Sequence, residues 1–309
     1  MNTLRFSRVL LIFIFSYFTF VCCQSEKLSV EPENNTVDKK EDYNVDCEER
    51  MQEWLNFLCS SECAGRYVGT EGSRKASDYI VSELTAMGFE PTVQEFKVSD
   101  VNLRNIVVII PGSRDSCIVI GAHYDGQFPS TESKHYPAAN DNASGVVTLL
   151  RIALDLSKKK ISCPYSLYLC FWDGEENTLG KPFKGSSYYV NNFEKVKNIK
   201  YYQNIDSVGH DHRKSFRMYY YGDWVVQCAI PYIQNNYDFY YTEVAFRDKG
   251  EGSSDYVSFS KQGVSFLNIV NTHPTDCRYH YHSVADTPDA ISISLLSTMA
   301  DIAEKVMLL

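Results

Sequence analysis

Apolar and polar positions along this chain follow two rhythms, and the places where one gives way to the other outline the fold. In "RNIVVII" (104–110), "SCIVIGA" (116–122), "YSLYLCFW" (165–172) and "VSFLNIV" (264–270) the apolar run lasts one strand length and stops at Gly, Pro, Asp or Asn. Such runs predict strands buried on both faces. Further strands are predicted at 92–98 and in "KYYQNIDSVG" (200–209). Elsewhere the spacing changes to three and four. Between Glu48 and Gly88 it gives two helices around a Gly-containing loop, the second with an apolar stripe of Ala76, Tyr79, Ile80, Leu84 and Met87. Helices are also predicted at 144–159 ("SGVVTLLRIALDLSKK"), near 185–193 and 223–235, and in "SDYVSFSKQ". The last helix is predicted to start at "DTPDA", where Thr287 can cap, Pro288 fills the first helical position and Asp289 suits the positive end. Its apolar face is Leu295, Met299, Ile302 and Val306. Strands alternating with helices predict an α/β protein: a three-layer α/β/α sandwich with a central mixed, largely parallel sheet covered by helices on both faces.

Composition narrows this to one folded unit. The 309 residues are 44% hydrophobic, enough for a full core in a single domain over residues 46–309. A formal charge of -9 argues against a nucleic-acid partner and is compatible with cation binding. The N-terminus pairs Arg5 and Arg8 with an apolar run from Val9 to Val21, short for a membrane span and right for a signal peptide over 1–23. Export to the periplasm, cell surface or medium follows as an expectation. Cys22 or Cys23 stands where ordinary cleavage or a lipid anchor would lie, and both remain open. Residues 24–45 have the polar composition of a flexible tether. Of the eight cysteines beyond it, some can pair in an exported protein, with connectivity unreadable from spacing. Cys117 and Cys170 lie in apolar strands, where buried free thiols are expected.

Chemistry collects where the strands stop. After "CIVIG" come His123 and Asp125, and the loop "YPAANDNASG" carries Asp141 into a helix. "LYLCFWDG" runs into Glu175 and Glu176, "YYQNID" ends in Asp206, and the loop after "SFLNIV" carries His280, His282 and Asp286. Each has an ordinary reading: a core histidine, a helix cap, a turn acid, an exposed loop residue. Together they put nitrogen and oxygen ligands of the kind that suits zinc at one edge of one predicted sheet, where open α/β sheets bind ligands.

The set "GAHYDG", "NDNASG", "FWDGEEN", "NID" and "HSVADT" closely resembles the secreted co-catalytic di-zinc aminopeptidases, a family sharing its fold with glutaminyl cyclases. The likeness extends over most of residues 50–309 and includes "LCSSECAGRYVGTEGSRKASDYI" and "GSSDYVSF". Residue by residue, it implies two Zn2+ ions per chain bridged by Asp141, with His123 and Asp206 completing one site and Glu176 and His282 the other. It implies that Glu175 is the general base and acid, and that the Asp141–Asn142 peptide bond is cis. Asp125, two residues beyond His123 on a strand, shares its face and is expected to orient its imidazole. Asp286 is expected to hold the final loop. The implied substrates are peptides with a free N-terminus.

Two departures bear on specificity. "NTLGKPFKGSS" places extra residues after the glutamate pair, and Tyr256 stands in "SSDYVSF" where many relatives carry His. Tyr219 to Tyr221, Phe246 and Tyr256 are candidate pocket walls, with core packing the alternative for each. Two rival readings stay open: a glutaminyl-peptide cyclotransferase using one zinc, and a non-catalytic binding protein on the same fold.

Overall fold

Side chains alternate between two cores across one sheet. In the computed structural model, which describes residues 37–129, 135–159, 163–210, 215–271 and 280–309, the central strands send Ile106, Val108, Ile118, Ile120, Leu167 and Leu169 into one buried cluster. Val107, Cys117, Val119, Cys170 and Trp172 enter another on the opposite face. This is the period-two geometry of a strand covered on both sides.

The strands are β1 (Thr92–Val98), β2 (Val101–Ile110), β3 (Cys117–His123), β4 (Ser166–Trp172), β5 (Ile199–Ile205), β6 (Ser215–Tyr221), β7 (Tyr240–Phe246) and β8 (Phe266–Val270), in the sheet order β1-β2-β4-β3-β5-β8-β6-β7. The four central strands β4, β3, β5 and β8 are mutually parallel, while β1/β2, β2/β4 and β6/β8 pair antiparallel. All four parallel strands therefore end at the same edge, and the site residues follow those ends. The helices are α1 (Val37–Leu58), α2 (Glu71–Ala86), α3 (Ser144–Lys159), α4 (Lys184–Asn192), α5 (Ile230–Asn236), α6 (Tyr256–Lys261) and α7 (Ile293–Met307). Helices α1, α2, α3, α5 and α7 contribute to the first core, and α4 and α6 to the second.

The mixed α/β/α architecture is as expected, and Leu295, Met299, Ile302 and Val306 of α7 are buried. Three details differ. Helix α1 begins at Val37, inside the segment read as a tether up to residue 45, because its Lys and Glu residues are strong helix formers and extend the amphipathic part backwards. The helix predicted at "DTPDA" is instead a short 3-10 turn, Pro288–Ala290, and the Thr287 side chain makes no cap. The cap belongs to Ser292, whose side chain accepts from the Leu295 N–H at the start of α7. Strand β7 was not marked by the pattern, since Thr242 and Glu243 interrupt its apolar character at the sheet edge.

The predicted signal peptide, most of the tether and Cys277 lie outside the described residues. Among the described residues, Cys117 and Cys170 are buried free thiols, and no helix is long and apolar enough to cross a membrane.

Candidate metal centre

The parallel register sets the first pair. His123 on β3 lies opposite Trp172 on β4, so the turn after Trp172 rises beside the imidazole. Gly174 adopts φ 74° in that turn, and a Cβ there would lie 2.5 Å from Leu103. A glycine is thus needed to turn the chain and deliver Glu175 and Glu176 inward.

Asp125 holds the pair in place. Its carboxylate oxygens accept from the Glu175 N–H at 3.0 Å and the Glu176 N–H at 3.1 Å. The expected contact with His123 is present but long, the Asp125 carboxylate standing 3.6 Å from Nδ1, and the ring also bonds the Asp125 backbone carbonyl at 3.1 Å. With both oxygens bonded to the two backbone N–H groups, the closer partner of the imidazole is the carbonyl.

Asp141 sits just before α3, and its bond to Asn142 is cis. The loop is tied at several points. Asp286 accepts from the Asn140 N–H at 2.8 Å and the Asp141 N–H at 3.1 Å. Asn142 is fully buried, its amide donating to the Ile205 carbonyl at 2.9 Å and accepting from Ser207 N–H at 3.1 Å, so its "NAS" sequon is inaccessible. Arg66 was not foreseen. It is fully buried and donates to the carbonyls of Leu58, Tyr124, Pro137 and Ala138, clamping the end of β3 and the segment before Asp141. A lone arginine in a glycine-containing loop carries no sequence signal for such a clamp.

The Asp141 carboxylate faces two ways. Oδ1 is 3.3 Å from His123 Nε2, and Oδ2 is 3.1 Å from His282 Nε2. His123 Nε2 is also 3.7 Å from Asp206 Oδ1, while His282 Nε2 is 3.1 Å from Glu176 Oε1. Two groups result, His123 with Glu175 and Asp206, and Asp141 with Glu176 and His282, each with ligand atoms within 4.8 Å of one another. Every predicted ligand thus arrives in one cluster, and Glu175 stands with the first group. His280 does not join it: its Nδ1 pairs with the Ala285 carbonyl and its ring packs edge-on against His210.

The residues fit divalent cations. His123 Nε2 is a buried nitrogen without a hydrogen-bond partner, aimed at two carboxylates. Four acids crowd two imidazoles, and their titration reflects it. Burial raises Glu175 well above the usual carboxylate range and Glu176 to about 7, with neighbouring acids adding to both. Burial lowers the His282 imidazole, but Asp141 and Glu176 outweigh it and lift the ring to about 10. His123 is likewise raised, burial notwithstanding, by Glu175 and the surrounding aspartates. Asp141 moves the other way, held low by the two histidines against the effect of burial. Cations are the natural counter-charge for such a set.

A pH dependence follows. Burial also raises Asp173 to about 8 and Asp255 to about 7. These acids, Glu176 and His282 all bind protons more tightly folded than unfolded, so their contribution is present at low pH and lost as pH rises through the folded values. Asp141 has the opposite sign, and its contribution is lost only on acidification below the ordinary carboxylate range. Protein stripped of divalent cations is therefore expected to lose thermal stability from about pH 5 to about pH 8, with saturating zinc flattening the slope. Calorimetry across that range, with and without zinc, checks it.

The cleft beside Asp141 is lined by Gln127, Tyr136, Ala138, His282, Ser283 and Asp286. None of the proposed wall tyrosines lines it. Tyr256 is buried against Phe266, its hydroxyl accepting from Ser253 N–H, and Tyr221 packs with Phe246 at the far sheet edge. Tyr281, half exposed and stacked on His282 at 3.7 Å, is instead the aromatic ring over the cluster.

The model of peptidase family M28 matches residues 105–307. Leupeptin-inactivating enzyme 1 of Streptomyces exfoliatus is 29% identical over 218 residues, covering 68% of this chain and 45% of that protein. This chain thus spans less than half of that relative's length. An aminopeptidase from an Aneurinibacillus species superimposes with TM-score 0.68 at 17% identity, covering 84% of this chain and 92% of that one. A glutaminyl cyclase of Fimbriiglobus ruber gives TM-score 0.66 at 20% identity, covering 84% and 94%. At these identities the superpositions establish the fold.

Proposed function

This chain belongs to peptidase family M28, and on that premise we propose that it is a zinc-dependent aminopeptidase, removing residues from peptides with a free N-terminus. The observation that carries the reading is the Asp141 carboxylate, with one oxygen toward His123 and the other toward His282. That arrangement suits a bridge between two cations.

In this reading His123, Asp141 and Asp206 would hold one zinc, and Asp141, Glu176 and His282 the other. When bound, the two ions would polarise the scissile carbonyl and acidify water. Glu175 takes the proton of the attacking water and later delivers it to the leaving amine. Its burial supports the role, because desolvation raises the carboxyl well above the usual carboxylate range and makes it a better proton acceptor than an exposed glutamate. Asp125 fixes the backbone of the pair and so fixes where Glu175 points. Acids flanking the ions that are not consumed as ligands favour the substrate's N-terminal ammonium. The apolar run from Val9 to Val21 supports export, with a lipid anchor at Cys22 or Cys23 as a variant of the same route.

The test is mass spectrometry of products from a set of short peptides, each with a free or an acetylated N-terminus and one series beginning with Gln. The reading expects stepwise loss of single residues from free N-termini, and none from acetylated ones. Loss of ammonia from the Gln series without hydrolysis would reassign the chain to the cyclases, and no reaction would favour a binding protein.

A further inference from the structure

Behind Asp206 runs a line of buried polar side chains that a metal-ligand role alone does not require. Trp172 Nε1 donates to the Tyr202 hydroxyl at 3.0 Å, and that hydroxyl donates to Asn204 Oδ1 at 2.8 Å. Asn204 Nδ2 donates to Ser254 Oγ at 2.9 Å, and Ser254 Oγ donates to Asp206 Oδ2 at 2.6 Å. The second Asn204 amide hydrogen goes to Asn268 Oδ1, also at 2.9 Å. All four relay residues before Asp206 are at most 2% exposed.

The direction of this line is forced by its ends. An indole N–H can only donate, and an ionised carboxylate can only accept. Every hydroxyl and amide between them must therefore pass donation the same way, toward Asp206. Chains of hydrogen bonds aligned head to tail polarise one another, most strongly where water is excluded. The sequence makes room for the first link at Gly121 of β3, where a Cβ would lie 2.4 Å from Trp172 Nε1 and 2.7 Å from the Tyr202 hydroxyl.

We propose that Trp172, Tyr202, Asn204 and Ser254 form a one-way hydrogen-bond relay that positions Asp206 and sets its strength as a zinc ligand. This rests on the reading of Asp206 as a ligand. Ser254 engages Oδ2, while Oδ1, the atom facing His123, accepts from the neighbouring Ser207 hydroxyl at 3.0 Å, so the relay fixes the carboxylate through the oxygen turned away from the histidine. The relay also draws charge out of the carboxylate, and because Trp172 lies at the end of the strand that delivers Glu175 and Glu176, it ties the two halves of the site through the core. These are positioning residues that touch no substrate.

The test measures both zinc dissociation constants of the full chain by competition with a chromophoric chelator, beside calorimetric unfolding of the metal-free protein. Ser254→Ala is expected to weaken one site by about 10- to 100-fold and leave the other unchanged, as loss of a ligand's hydrogen-bond partner does. Ser254→Thr, which keeps the hydroxyl, is expected to restore most of that loss. Tyr202→Phe, three hydrogen bonds up the line from Asp206, is expected to weaken the same site by a smaller factor. Asp206→Asn is expected to lose that site. If Ser254→Ala leaves both constants within about twofold while Asp206→Asn loses a site, the relay is wrong and the ligand reading stands. The same holds if Tyr202→Phe has no effect where Ser254→Ala does. If Asp206→Asn keeps both constants unchanged, the ligand reading falls and the relay with it.

Discussion

Glu175→Gln is expected to reduce kcat/KM for peptide hydrolysis by about 10³-fold, within the range general acid–base groups supply, while both zinc ions stay bound. The reason lies in the division of labour between adjacent acids. Glu176 Oε1 is engaged with His282 at 3.1 Å, whereas among the described residues no hydrogen bond occupies the Glu175 carboxylate, and both backbones are fixed by Asp125. Glutamine fills the same volume without a basic oxygen pair, so it removes proton transfer and leaves the shape. Both kcat and kcat/KM are expected to fall together, since the interaction is made in the transition state. Steady-state kinetics with metal analysis of the same sample separate this from loss of the ions; equal loss of metal and activity would make Glu175 a ligand instead.

Asp141→Ala is expected to have the larger effect, eliminating detectable hydrolysis and weakening both zinc sites. A single ligand in each group is usually lost with one ion, but the two Asp141 oxygens face separate histidines. Its removal also leaves two imidazoles that the same carboxylate had neutralised. Structural collapse is distinguishable by calorimetry, because the loop has its own ties through Asp286, Asn142 and Arg66. A variant that folds, retains one zinc at wild-type affinity and loses only the other would show that Asp141 serves a single site.

The fold was legible where burial was complete. Apolar runs such as "CIVIG" and "LYLCFW" marked β3 and β4 because each of their faces packs against helices. Legibility failed at the margins, where polar residues satisfy local structure in ways the pattern does not rank. Ser292 outcompeted Thr287 as a cap, and the charged start of α1 read as tether composition although Lys and Glu are good helix formers. The candidate ligands were readable because five acids and imidazoles after parallel strands must share an edge. What they bond to was not. How closely the Asp125 carboxylate meets the backbone of Glu175 and Glu176 depends on the turn at Gly174, and the role of Arg66 depends on carbonyls from two distant segments, at Tyr124 and at Pro137–Ala138. The pocket walls failed for a related reason: an aromatic residue reads alike whether it lines a site, as Tyr281 does beside His282, or fills a core, as Tyr256 does.

The most direct measurement is the number of zinc ions bound per chain in protein reconstituted with zinc and dialysed against zinc-free buffer, counted by elemental mass spectrometry. A pair of sites sharing Asp141 predicts two ions per chain, falling together in Asp141→Ala; a single ion, or a count unmoved by that substitution, would contradict the co-catalytic centre.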